Sequence, residues 1–142
     1  MGMISHLKQV KFIGLQPGLK VLVLGAVHGN ESCGVAAINQ AIAAIDSGKI
    51  VIEQGSVTFV PICNPKAFKN KVRFIDKDLN RSWLPERIDF IMNPSNVSQL
   101  DAEDQEIKEN LDIIHHYIEL CDPPKVVVLD LHTTTAHGGI FT

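Results

Sequence analysis

The run KVLVLGAV, residues 20–27, constrains this chain more than any other stretch. It has almost no polar alternation, so as a strand it needs cover on both faces, the situation of an inner strand in an α/β sheet. Three further strand-like segments accompany it: VKFIGL (10–15), SVTFVPI (56–62) and KVVVLDL (125–131). Gln16-Pro17-Gly18 supplies a turn signal between the first two. Apolar residues recur at helical spacing from Glu31 to Ile45, through Val35, Ile38, Ile42 and Ile45, until Asp46-Ser47-Gly48. A second amphipathic stripe, Ile107, Leu111, Ile114 and Ile118, predicts a helix from Ser98 to Leu120, stopped by Pro123-Pro124. Strands alternating with helices predict an α/β fold, a mostly parallel or mixed sheet with helices on both faces. The 142 residues fit one domain.

Residues 63–97 join a strand to a helix with little regular pattern. Loops beyond ~15 residues in a compact domain usually carry function or are disordered. NPKAFKNKVRFIDKDLNRSW has too many aromatic and apolar anchors for disorder, which predicts an ordered functional loop. A net charge of −3 and a pI near 6.0 argue against an electrostatic nucleic-acid binder, which usually needs a basic face. No apolar run approaches the ~20 residues of a membrane span. The N-terminal residues lack a secretory apolar region, and His6 occupies the position where a myristoylation motif needs Ser or Thr. Cys33, Cys63 and Cys121 are odd in number and far apart, which reads as reduced cytoplasmic thiols used for packing.

Ligands of open α/β sheets bind at the carboxyl ends of the strands. Two predicted strands end in groups that hold metals: His28 and Glu31 follow one, and His132 follows another about a hundred residues later. His28 and Glu31, three apart where a strand meets a helix, can face one way, and Gly29 lets the backbone turn between them. Together the three make a His2Glu set with an open fourth position, the arrangement of catalytic zinc. A histidine after a strand is, by itself, more often a loop or core residue; the joint pattern carries the reading. Asp78-Leu79-Asn80-Arg81 places a carboxylate, an amide and a guanidinium within four residues. A carboxylate beside a zinc histidine takes its second N–H. A guanidinium with a neighbouring amide suits a substrate carboxylate. Arg73 is a fixed cation suited to a carbonyl or oxyanion. In isolation this loop would read as solvated charge. His115 and His116 read as a solvated helix face, and His6 as terminal. His137 is a candidate to line the site.

Taken together, HGNE, NPKAF, RFIDKDLNR and LDLHTTT resemble the succinylglutamate desuccinylase/aspartoacylase family, within the zinc-carboxypeptidase-like superfamily. The resemblance runs from about residue 20 to the C-terminus, with the motifs in family order. It implies one zinc ion per chain, held by His28, Glu31 and His132, with Asp78 behind the first histidine. It assigns Asn80 and Arg81 to the substrate carboxylate, and Arg73 to the scissile carbonyl and its oxyanion. The implied reaction is hydrolysis of the amide bond of an N-acyl amino acid, of N-acetylaspartate or N-succinylglutamate type. The family's general base is a glutamate downstream of the third ligand. None of Glu53, Glu86, Glu103, Glu106, Glu109 or Glu119 stands in the matching context. The expectation is therefore an N-terminal portion, 1–142, of a truncated catalytic domain, lacking the rest of that domain and a β-rich C-terminal domain. Such a fragment would be inactive for want of its base.

Two other functions share these features. A zinc carboxypeptidase or peptide amidase has the same ligand set and an Asn-Arg pair, and a non-catalytic zinc- or carboxylate-binding module needs no base. An open sheet edge also leaves room for a homo-oligomer.

Overall fold

The computed structural model describes residues 6–119 and 125–133. Four strands, β1 (Val10–Ile13), β2 (Gln16–Gly25), β3 (Gln54–Val60) and β4 (Val126–Leu131), form one sheet in the order β1-β3-β2-β4. β3 and β4 both run parallel to β2, and β1 is antiparallel to β3. Helix α1 (Ser32–Asp46) connects β2 to β3. The return to β4 contains α2 (Pro65–Asn70), α3 (Pro85–Met92) and α4 (Ala102–Glu119).

Both faces of β2 are covered, as its composition requires. Leu22 and Leu24 join Val60, Ile91, Ile107 and Leu111 in a core under α3 and α4. Val23, on the opposite face, packs with Ile38 of α1 and Phe59. The mixed sheet with helices on both sides is the predicted architecture. Among the described residues, no helix is long and apolar enough to cross a membrane.

Several boundaries differ from the sequence reading, each for a physical reason. Gln16-Pro17-Gly18 is not a turn between strands but the start of β2, lying along the start of β3 with an irregular register before Lys20. The backbones are so close there that a Cβ on Gly55 would sit 1.9 Å from the Leu19 carbonyl oxygen. β2 also ends at Gly25, because Ala26 takes φ +47° and diverts the chain. The left-handed region costs a residue with a Cβ roughly 1–2 kcal/mol. Ala26 is nevertheless held there while its carbonyl accepts from Asn64 N–H at 3.0 Å.

Residues 63–97 are ordered, but as short helices rather than loop. Asn64 caps α2 by accepting from Ala67 N–H at 3.1 Å, and Lys71 ends it with φ +55°. Pro65 and Pro85 each occupy a first helical position, where a missing N–H is harmless. 3₁₀ turns cover Leu79–Arg81 and Pro94–Gln99. The turn before Leu100 explains why α4 starts at Ala102 and not at Ser98. β4 departs most from expectation. Val127, Val128 and Leu129 are 38%, 43% and 46% exposed, because β4 is an edge of the sheet among the described residues.

Cys33 is exposed and Cys63 buried, both free. Burial pushes the Cys63 thiol up to about 12, in keeping with a packing role. Cys121, Pro123-Pro124, the Ile118 side chain and His137 lie outside the described residues. His115 and His116 are exposed, as predicted. His6 is tied down through its backbone N–H, which donates to Glu109 at 3.1 Å.

Candidate metal centre

The parallel pairing of β2 with β4 sets Leu24 opposite Asp130 and Gly25 opposite Leu131. The chain leaving each strand therefore emerges at the same end of the sheet. After the Ala26 bend, His28 is 2% exposed and Glu31 6% exposed, and Glu31 occupies the N-cap position of α1. Its carboxylate does not cap the helix; both oxygens are engaged in the site. Oε1 lies 2.9 Å from His28 Nδ1, and Oε2 lies 3.1 Å from His132 Nδ1. Oε2 also accepts from Thr133 N–H at 2.6 Å. The two imidazole rings are 4.9 Å apart.

His28, Glu31 and His132 each offer a ligand atom within 4.8 Å of the others. A tetrahedral zinc with bonds of ~2.0–2.1 Å sets its donors about 3.3 Å apart. Each histidine nitrogen lies near that distance from one of the two Glu31 oxygens, His28 Nδ1 2.9 Å from Oε1 and His132 Nδ1 3.1 Å from Oε2. Two imidazoles and a carboxylate also form the borderline donor set that such a cation prefers. The residues present thus fit a divalent metal.

Asp78 stands behind His28, its Oδ1 2.9 Å from Nε2. The same oxygen accepts from Asn80 N–H at 2.9 Å, which caps the 3₁₀ turn Leu79–Arg81. That turn is anchored by fully buried Leu79. Arg73 lies at the rim, 46% exposed, with Nη1 3.5 Å from Glu31 Oε1 and Nε 3.6 Å from Asp78 Oδ2. Arg81 is exposed, and its guanidinium donates to the Asn80 carbonyl at 3.2 Å. The structure therefore groups His28, Glu31, His132, Asp78 and Arg73, with Asn80 and Arg81 on the adjoining turn.

Burial alone would push the carboxyl groups of Glu31 and Asp78 up. For Glu31 the Thr133 N–H, the His28 hydrogen bond and the charges of both histidines outweigh it. For Asp78 the His28 hydrogen bond and charge, Asn80 N–H and Arg73 do the same. Both carboxyls are held below their ordinary range, which favours the anionic form that a cation requires.

Several contributors had weak sequence signals. Gly29 is required, but its φ is not left-handed. A Cβ there would lie 2.1 Å from the Ala67 carbonyl carbon, so α2 lies against it. Glu103, 4% exposed on α4, accepts from Ile75 N–H at 3.1 Å and Asp76 N–H at 2.9 Å, pinning the loop that carries Arg73 and Asp78. Lys77 adds a second tie to Asp101 and Asp104, and Arg87 also bonds Asp104. Asp130 lies against His132.

Known proteins resemble this chain in sequence and in fold. Residues 17–141 match the family described as succinylglutamate desuccinylase/aspartoacylase catalytic domain. An aspartoacylase from Danio rerio is 30% identical over 131 residues, 88% of this chain and 37% of that protein. The succinylglutamate desuccinylase structure from Vibrio cholerae superposes with a TM-score of 0.67 at 21% identity, covering 87% of this chain and 34% of that one. A tripeptide-bound structure of the cell shape determinant Csd4 from Helicobacter pylori gives 0.63 at 18% identity, covering 96% and 29%. The two structural likenesses show the fold. The chain spans 37% of the length of the Danio rerio relative. On the extent of the family match, the chain belongs to the succinylglutamate desuccinylase/aspartoacylase catalytic-domain family.

Proposed function

We propose that this chain is the metal- and carboxylate-binding portion of a zinc-dependent amidohydrolase. The substrate is an N-acyl amino acid of N-acetylaspartate or N-succinylglutamate type. The observation that carries this reading is the convergence of His28, Glu31 and His132 at one end of the sheet. His28 and His132 offer Nδ1, and Glu31 a carboxylate oxygen, to one zinc ion. Zinc, when bound, supplies Lewis-acid polarisation of the scissile carbonyl and acidifies a water molecule. Asp78 holds the His28 ring by its far nitrogen. Arg73 offers a guanidinium to the carbonyl oxygen as charge develops on it, which first requires it to turn from Glu31 and Asp78. Asn80 and Arg81 orient the substrate by its carboxylate. The general base is supplied from outside these 142 residues, so the isolated chain binds zinc but hydrolyses little.

The test is metal analysis of the purified chain beside His28→Ala and His132→Ala. Zinc near one per chain, lost in both variants, is expected; zinc content unchanged in both would overturn the assignment. Turnover of N-acetylaspartate or N-succinylglutamate by the chain alone at ordinary enzymatic rates would overturn the missing-base reading. A second reading, a zinc carboxypeptidase or peptide amidase, is favoured by the likeness to the tripeptide-bound Csd4 structure. Side-by-side assay of N-acyl amino acids and a C-terminal peptide bond separates the two, using a longer form of the protein that supplies the base.

A further inference from the structure

We propose that Asp130 is a positioning residue that presents His132 Nδ1 to the metal. The proposal rests on the metal reading above and goes beyond the ligands themselves. Asp130 Oδ2 lies 2.8 Å from His132 Nε2, while Nδ1 of the same ring faces Glu31 Oε2 at 3.1 Å. Both ring nitrogens face carboxylate oxygens, so once a cation takes the place between Nδ1 and Glu31, the Asp130 carboxylate is the acceptor that keeps an N–H on Nε2. The Nδ1 lone pair is thereby left for a cation.

The arrangement repeats around Glu31. His28 directs Nδ1 to one carboxylate oxygen and Nε2 to Asp78; His132 directs Nδ1 to the other and Nε2 to Asp130. Each histidine is thus held between an inner and an outer carboxylate. The outer partners have different origins. Asp78 comes from a loop 50 residues away from His28, whereas Asp130 is two residues from His132 on β4. Its register is set by the parallel pairing of Asp130 with Leu24. The orientation of the His132 ring is therefore inherited from the sheet, and that of His28 from the loop.

Loss of such an outer partner typically weakens metal binding 10–100-fold. Asp130 is 34% exposed, so water can replace part of its bond, and the expected loss is about tenfold. The experiment compares zinc affinity, by competition with a chromophoric chelator, for the wild-type chain, Asp130→Ala, Asp130→Asn and His132→Ala. Long-range ¹H–¹⁵N NMR of the zinc-loaded chains reads which His132 nitrogen carries the proton and which the metal, an assignment that a merely structural residue would leave unchanged. Asp130→Ala should lower affinity about tenfold and lose the Nε2–H preference. Asp130→Asn retains a carbonyl acceptor and should recover most of both. If His132→Ala leaves zinc affinity unchanged, the metal reading fails and this proposal with it. If His132→Ala abolishes binding while Asp130→Ala binds as tightly as wild type, only the role of Asp130 falls. Weaker binding with an unaltered tautomer would also overturn it, since Asp130 would then act on the fold and not on the ring.

Discussion

Gly29→Ala should be among the most damaging small substitutions in this chain, and the cause is contact, not backbone freedom. An added Cβ would lie 2.1 Å from the Ala67 carbonyl carbon, 2.3 Å from Phe68 N and 2.5 Å from the Ala67 oxygen. All three are backbone atoms of α2, so no side-chain rotation relieves the clash. Ordinary contact begins near 3.4 Å, and α2 would have to retreat by more than about 1 Å. That retreat pulls against the Asn64 N–H to Ala26 carbonyl bond at 3.0 Å and the Gly29 N–H to Arg73 carbonyl bond at 3.0 Å. Overpacking costs about 1–3 kcal/mol where neighbours can adjust, so about 3 kcal/mol is expected here. Gly48→Ala is the matched control. Gly48 has φ +74° but nothing within 4 Å, so its cost is conformational only, about 1 kcal/mol. Urea denaturation of both variants supplies the comparison. If Gly29→Ala falls within about 0.5 kcal/mol of wild type, or is no worse than Gly48→Ala, the contact argument is refuted.

Glu103→Ala should loosen the site loop before it unfolds the protein. It removes the charge-assisted acceptor of the Ile75 and Asp76 amides, the second of which reaches both carboxylate oxygens, and these residues are exposed enough for water to compensate partly. A net loss of about 1–2 kcal/mol should speed hydrogen exchange of those amides roughly 10–30-fold; unchanged exchange would contradict the clamp. Glu106→Gln should stabilise the chain at pH 7. Burial raises the Glu106 carboxyl above 4.5 against the opposing charge of Lys66, with Glu103 and Glu109 adding to the rise. Its folded form holds a proton more tightly than the unfolded one, so wild-type stability from this group is full below pH 4.5 and declines as pH rises through the folded value. The thermal midpoints of the two proteins should therefore diverge with rising pH, with the variant higher, and converge near pH 4; parallel curves would disprove the shift.

The elements most legible in the sequence were those with a strong period or uninterrupted apolar character. The carboxyl-terminal halves of β2 and β3 are buried, and α1 buries Val35 and Ile38 as the spacing predicts. His28, Glu31 and His132 could be proposed because strand ends are where an α/β sheet displays polar groups. The short helices between β3 and α4 were hidden, since α2 has six residues and α3 eight, too few for a period to emerge. Their signals were the prolines at their first positions. The exposure of β4 was equally unreadable, because Val-Val-Val-Leu looks the same at an edge as in the middle of a sheet. Asp130 could have been noticed as the acid two residues before His132. Strand periodicity puts such a pair on one side, but the carboxylate meets the ring only through the fold.

The contact between Glu31 and Thr133 N–H closes a stretch of chain 102 residues long. Closing a loop of about 100 residues costs roughly 4.7 kcal/mol of chain entropy on folding, taking the magnitude of the cross-link description. A cation gripping Glu31 and His132 together would help to offset that cost by binding the closed arrangement and not the unfolded chain. It would also report on the order of assembly. β2 and α1 can pair and pack early, but His132 arrives with the last described strand, so two of the three ligands wait for the third. Tight cation binding should therefore appear only after β4 has docked, making the metal a late seal on the fold and not a nucleus for it.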